Sequence, residues 1–122
     1  MSKDRRHFQR VTYECPALLE LEGREPVAVE VENLSLKGVL LRQVPPECMP
    51  EPGQSANLEL QLAPEVAIRM ALEVSFCGDG RLGAHWVEID VEGMAHLRRL
   101  LALNLGDAEQ VDRELAHMLH PE

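Results

Sequence analysis

Aromatic side chains are scarce in this sequence: Phe8, Tyr13, Phe76 and Trp86 are the whole set in 122 residues. A folded core must therefore be aliphatic. Cysteine is nearly as rare. Cys15, Cys48 and Cys77 form an odd, widely spaced set without a Cys-x-x-Cys pair, which argues against a disulfide scaffold or a structural zinc site. They read as small apolar fillers and a surface thiol. No apolar run approaches the roughly 18–20 residues that a membrane span needs. The opening MSKDRRHFQR has no apolar stretch behind it and does not read as a secretory signal. The expected compartment is the cytoplasm, with no membrane insertion. His-Glu-x-x-His, a nucleophile elbow and a Ser-His-Asp order are all missing. His117 and His120, at the end of a helical stretch, read as incidental neighbours rather than metal ligands. Neither a catalytic set nor a metal set is identified, so the chain reads as noncatalytic.

What is present is a soluble, globular composition: 45% apolar and 27% charged residues, in a length that suits one domain. The charge is unevenly spread. Lys3, Arg5, Arg6 and Arg10 oppose only Asp4 in residues 1–10, a sum of +3, so the remainder carries −12 of the net −9. An acidic body repels a polyanion, and DNA binding is disfavoured. A short basic arm on such a body suits a smaller partner with few phosphates. The expected organisation is a flexible basic arm at 1–10 and one β-rich body with terminal helices at 11–122, a single domain spanning 1–122.

Short β-like runs follow the arm. Val11 to Leu21 is interrupted at Pro16, which marks an edge or a bulge. Val27, Val29 and Val31 alternate with Ala28, Glu30 and Glu32. Val39-Leu40-Leu41 is a further strand. Residues 45–54, with four prolines and a glycine, are expected to form a loop without helix. Leu58, Leu60 and Leu62 alternate again. In Val66 to Phe76, one face gathers Ile68, Met70, Leu72, Val74 and Phe76. Phe76 therefore reads as core, with packing on a ligand base as the alternative; Trp86 reads as core or barrel cap. Gly78-Asp79-Gly80-Arg81 is a hairpin turn, and Leu82 to Ile89 is the last strand. About six strands with turns between them imply a small barrel or a sandwich.

The period then changes. Asp90 can cap a helix with the stripe Met94, Leu97, Leu101 and Leu105, stopped at Asn104-Leu105-Gly106. Asp107 and Gln110 resemble a capping box before a second stripe of Ala108, Val111, Leu115 and Met118, closed by Pro121. The stripes read as packing surfaces against the barrel or a partner.

Two segments fit neither core nor generic turn. Arg5-Arg6-His7-Phe8-Gln9-Arg10 holds Arg-x-x-x-Arg at positions 6 and 10, and Asn33-Leu34-Ser35-Leu36-Lys37-Gly38 holds Asn-x-Ser-x-x-Gly. In this order, before a β-rich body, they resemble the paired motifs of the PilZ domain, a family that binds the bacterial second messenger cyclic di-GMP. Ile68-Arg69-Met70, the hairpin Asp79 to Gly83 and the helical run His96 to Asp107 are similar to single-domain PilZ receptors. The resemblance implies a mainly β fold, a six-stranded antiparallel PilZ-type barrel with C-terminal α-helices. It also implies a cyclic di-GMP site made of Arg5, Arg6, Arg10, Asn33, Ser35 and Gly38, with no further cofactor.

The chemistry of those residue types agrees. An Arg fork meets guanine O6 and N7 with two bonds, and the same guanidinium stacks on a purine or grips a phosphate. An Asn oxygen accepts from guanine N–H groups, a Ser hydroxyl can meet a phosphate or sugar oxygen, and Gly permits close backbone approach. In the family, the residue before Arg-x-x-x-Arg, here Arg5, is associated with binding one ligand or an intercalated pair. Asn33 stands where the family often has Asp, which removes one oxygen and a charge. The resemblance further implies a monomeric receptor whose arm folds over the ligand and alters the surface seen by an unidentified downstream protein. The rival expectation is a PilZ-like adaptor that works by protein contacts and binds no nucleotide.

Overall fold

Alternation of apolar and polar residues decides the first strand. In the computed structural model, which describes residues 10–119 (only the backbone of Ala108, Met118 and Leu119), β1 (Val11–Leu21) buries Cys15, Ala17, Leu19 and Leu21 and exposes Glu14, Pro16, Leu18 and Glu20 between them. β2 (Val27–Leu34), β3 (Gly38–Arg42), β4 (Ser55–Ala63), β5 (Val66–Gly78) and β6 (Arg81–Ile89) follow. All neighbours pair antiparallel, in the order β1-β2-β3-β6-β5-β4, and the sheet closes. The closing ladder pairs Ala17–Leu21 with residues 56–60 of β4, which decides for a barrel against a sandwich. Pro16 lies just outside that ladder and is solvent-exposed. Its missing N–H therefore costs the β4 pairing nothing.

The barrel interior is aliphatic. Leu19, Leu41, Leu58, Leu60, Ile68, Leu72 and Leu82 are fully buried, each contributing about 1.5–3 kcal/mol of transfer free energy. The β5–β6 connection is a two-residue turn, with Asp79 at φ 55° and Gly80 at φ 76°, the left-handed pair that matches the twist of a hairpin. The proline-rich segment, expected to be a loop without helix, contains one short helical turn. Pro46–Cys48 forms a single 3-10 turn, because proline's fixed φ suits a first helical position where no N–H is needed.

Two bulges redirect the outer end of the hairpin. The register of β5 on β6 shifts between Val74 and Phe76, and Ser75 and Phe76 both face outward. Strict alternation puts Phe76 with the core. The extra residue flips it, and the ring is 53% exposed. A second shift, between Ala71 and Leu72, leaves Val87 exposed between Trp86 and Glu88. Trp86 itself is half-buried against the core.

The helices cap the sequence as their polar residues direct. Asp90 Oδ1 accepts from Gly93 N at 2.6 Å at the start of α1 (Val91–Leu105), and Gly106 N donates to Ala102 O at 2.8 Å at its end. Leu97, Leu100 and Leu101 are buried, with Met94 and Leu105 on the flanks of the stripe. In α2 (Ala108–Leu119), Val111 is buried and Leu115 partly so; the side chains of Ala108 and Met118 and the stop at Pro121 lie outside what is described. Half of the capping box forms: Asp107 Oδ1 accepts from Gln110 N at 3.0 Å, but the Gln110 side chain turns to Glu114 instead. Arg98 and Asp112 join the helices through two bonds of 2.6 and 3.0 Å. Among the described residues no helix is long and apolar enough to cross a membrane.

Candidate functional site

Arg10 and the segment 33–38 meet at one end of the barrel. Arg10 immediately precedes β1, and β1 pairs with β2 so that Val11 faces Leu34 and Thr12 faces Asn33. This register brings Arg10 Nε within 2.7 Å of Asn33 Oδ1, to which it donates. Desolvation against the barrel lowers the Arg10 pKa from its ordinary value, but a guanidinium keeps its charge at neutral pH. Arg5 and Arg6 lie outside the described residues, as does nearly all of the arm assigned to 1–10.

Between β2 and β3 the chain turns on Ser35. Its N–H donates to Gly38 O at 3.0 Å, and its Oγ accepts from Lys37 N at 3.1 Å and Gly38 N at 3.2 Å. The residue is 1% exposed. Both hydroxyl lone pairs are thus committed to shaping the turn, and what the turn shows to solvent is Lys37 and the Gly38 backbone. Gly38 is needed for a reason beyond ligand approach: a Cβ there would collide with the Ala84 carbonyl of β6. Glycine lets β3 lie tight on β6, where Gly38 faces His85.

A groove of about 260 Å³ runs from this turn over β5 and β6. Arg10, Lys37 and Gly38 line one part of it, and Ser75, Phe76 and His85 another. The Phe76 ring covers Gly83, which has no room for a Cβ under the ring, and its other face is open to solvent. Ser75 Oγ lies 3.0 Å from His85 Nδ1, and His85 Nε2 lies 3.6 Å from Glu73 Oε1. Glu32, beside Asn33, is offset by Arg81 from the hairpin end, with Nε 3.2 Å from Oε1 and Nη2 donating to Oε2 at 3.3 Å. Without that pairing a carboxylate beside the motif would oppose an anionic ligand.

Of the sequence-chosen residues, Arg10 and Gly38 line the groove, Asn33 is joined to it through Arg10, and Ser35 stands behind it as the turn builder. The sequence does not single out Ser75, His85 or Gly83. Counting pairs back from the Asp79-Gly80 turn sets Ser75 across from Ala84, and only the bulge corrects this. An inserted residue has no side-chain signature of its own, though a serine and a histidine near the same turn offered a weak hint.

A second concavity, about 710 Å³, lies between β6 and the helices, with Trp86, Ile89, Met94 and Leu115 among its walls. The Trp86 N–H donates to Lys37 O at 2.9 Å, so this strand position is tied to the motif turn. Among the described residues no cluster of three or more metal-ligating side chains occurs.

The family and the fold are shared with known proteins. The family model for the PilZ domain matches residues 4–103. Solved structures of similar fold include the Escherichia coli YcgR PilZ domain with c-di-GMP, at TM-score 0.68 and 16% identity over 93% of this chain and 98% of that one. The PilZ domain of CeSA from a cellulose-synthesizing bacterium matches at TM-score 0.60 and 16% identity, over 80% and 96%. The Bacillus subtilis inhibitor of motility MotI/DgrA matches at TM-score 0.67 and 17% identity over 83% of this chain. The chain spans about half, 53%, of that protein's length.

Proposed function

The chain belongs to the PilZ domain family, and from that premise we propose that it is a noncatalytic, cytoplasmic receptor for cyclic di-GMP. The observation that carries this reading is the 2.7 Å bond from Arg10 to Asn33. It joins the last residue of Arg-x-x-x-Arg to the first of Asn-x-Ser-x-x-Gly at the mouth of a groove. Arg10, with Arg5 and Arg6 of the same segment, supplies the cations for phosphate and the forks for guanine. Asn33 Oδ1 has a second lone pair for a guanine N–H. Ser35 and Gly38 hold the turn against which the ligand rests, and Phe76 offers an exposed ring for a base to stack on. That a neighbour of similar fold is described with c-di-GMP supports the ligand class.

The signal leaves the site by a change of shape. The Lys37–Trp86 backbone bond ties the motif turn to the strand that walls the second concavity. A ligand that moves the turn therefore acts on the surface offered to a downstream protein. The working unit is a monomer of one domain, 1–122. The rival reading, an adaptor that binds no nucleotide, draws on the same apolar concavity.

Calorimetric titration with cyclic di-GMP, beside GTP as control, tests the proposal. Saturable heat with the cyclic dinucleotide alone, with affinity sharply weakened in Arg10→Ala, is the expected result. Absence of heat from wild type favours the adaptor. The nucleotide should be recovered chemically unchanged after long incubation; a linear product would refute the noncatalytic assignment.

A further inference from the structure

The β5–β6 wall of the groove carries two groups that neither motif contains. The bulge at Val74–Phe76 turns Ser75 outward, and its Oγ meets His85 Nδ1 at 3.0 Å. Glu73 approaches the other ring nitrogen, Nε2, at 3.6 Å. Ser75 and His85 line the same groove as Arg10 and Lys37. We propose that Ser75 and His85 form an additional anion subsite that receives a phosphate of the cyclic dinucleotide and takes up a proton from solvent as it does so. This rests on the receptor reading given above and assigns one part of that site.

The direction follows from the donors and acceptors. A neutral imidazole with its proton on Nε2, toward Glu73, leaves Nδ1 as an acceptor, and Ser75 gives its proton to it. The hydroxyl then shows only lone pairs to the groove, which repel a phosphate oxygen. One proton added at Nδ1 reverses the bond. His85 donates to Ser75 Oγ, the hydroxyl hydrogen stays on Oγ and turns toward the groove, and the wall gains a positive charge beside Glu73. An anion in the groove and a proton on His85 therefore stabilise one another.

Glu73 from β5 lies 3.6 Å from His85 Nε2, and Lys37 from the β2–β3 turn and Arg10 from the start of β1 line the same groove. A phosphate entering among these groups favours a further positive charge on the wall. By linkage, the ligand then binds more tightly at lower pH, in the range where imidazoles titrate.

The test is calorimetry of the full chain with cyclic di-GMP at about pH 7 in two buffers of different ionisation enthalpy, PIPES and Tris, and across a pH series. Heats that differ between the buffers by an amount equivalent to net proton uptake are expected. So is an affinity about fivefold or more higher at the acidic end. His85→Gln keeps an amide for Ser75 but cannot take the proton; it should bind with equal heats in both buffers and a flat pH profile. Ser75→Ala should lose most of the low-pH gain. Both positions are outward-facing on the barrel, and an unchanged far-UV spectrum verifies the fold. Wild type that binds with no buffer dependence overturns the subsite alone. Proton uptake that persists in His85→Gln belongs to another group, such as His7 in the arm, and also overturns it. No cyclic di-GMP heat from wild type at any pH overturns the receptor reading, and the subsite with it.

Discussion

Arg10 and Asn33 are 23 positions apart in sequence, and one hydrogen bond of 2.7 Å makes them a single unit at the end of the barrel. The bond joins a charged donor to a neutral acceptor, so it orients the guanidinium without cancelling its charge. A carboxylate at the same place would hold Arg10 more strongly and also neutralise it.

That arrangement predicts coupling. Arg10→Ala removes a charge-assisted contact worth about 1.5–3 kcal/mol, a loss of tenfold to a hundredfold in cyclic di-GMP affinity. Asn33→Ala releases the guanidinium from its bearing and weakens binding as well. The double variant should lose clearly less than the two single losses combined, because both remove the same unit. Strict additivity in a calorimetric double-mutant cycle would show that the two residues act separately.

Two glycines predict opposite outcomes for the same change. In Gly38→Ala the new methyl meets the Ala84 carbonyl, which is backbone and cannot swing away. A destabilisation of about 1–3 kcal/mol follows, seen as a lower melting temperature by circular dichroism. In Gly83→Ala the methyl meets the Phe76 ring, which is free to rotate toward solvent. Melting should then barely move, while cyclic di-GMP affinity changes through the displaced ring. Equal melting shifts in the two variants would contradict this reading of the seams.

The helix pair should be acid-sensitive. The hydrogen bond from Arg98, and then its charge, lower the Asp112 pKa from its ordinary 3.8. A depressed carboxylate stabilises the fold fully above its unfolded value. That contribution fades as pH falls from about 4 through the lower folded value. Both side chains are substantially exposed, so the effect is modest and weaker in high salt. Amide-exchange protection in α2, corrected for the intrinsic rate at each pH, should fall over that acid range in wild type, and Asp112→Asn should remove this fall. An unchanged acid profile in the variant would locate the sensitivity elsewhere.

Cys15 predicts an alkaline limit. Burial, and then the charge of Glu30, push its thiol up from 9.0 to about 11. The folded chain keeps the proton where the unfolded chain releases it. Stability from this group is therefore complete below about pH 9 and is lost as pH rises through about 11. At pH 8 Cys15 should resist iodoacetamide while Cys48 and Cys77, both half-buried, react; mass spectrometry of the labelled peptides reads this directly. Early labelling of Cys15 would contradict its buried position.

Much of this fold is written as local pattern. The Val27-Val29-Val31 alternation, the Asp79-Gly80 turn, the Asp90 cap and the Gly106 stop all appear where their residues imply, because each depends on neighbours in sequence. Phe76 does not, since one inserted residue in β5 overrules period two. Ser35 illustrates the limit within the site. Its residue type suits a phosphate, and its two lone pairs also accept from the Lys37 and Gly38 N–H groups, a turn-building role that composition does not reveal. His85 and Ser75 escape for the same reason as Phe76: their pairing depends on a register set by a bulge.

The ladder that closes the barrel also sets an order of assembly. β5 and β6 are joined through two residues and can pair as soon as the Asp79-Gly80 turn forms. Leu19 must find Leu58 across about forty residues, and the entropy of closing that loop comes before any of its contacts are made. The β1–β4 and β3–β6 ladders, which join the most distant stretches of chain, are therefore the late events. Turn substitutions at Gly80 should slow folding, whereas Leu19→Ala should chiefly speed unfolding. The groove between the β2–β3 turn and the β5–β6 hairpin is then complete only once the β3–β6 ladder has formed.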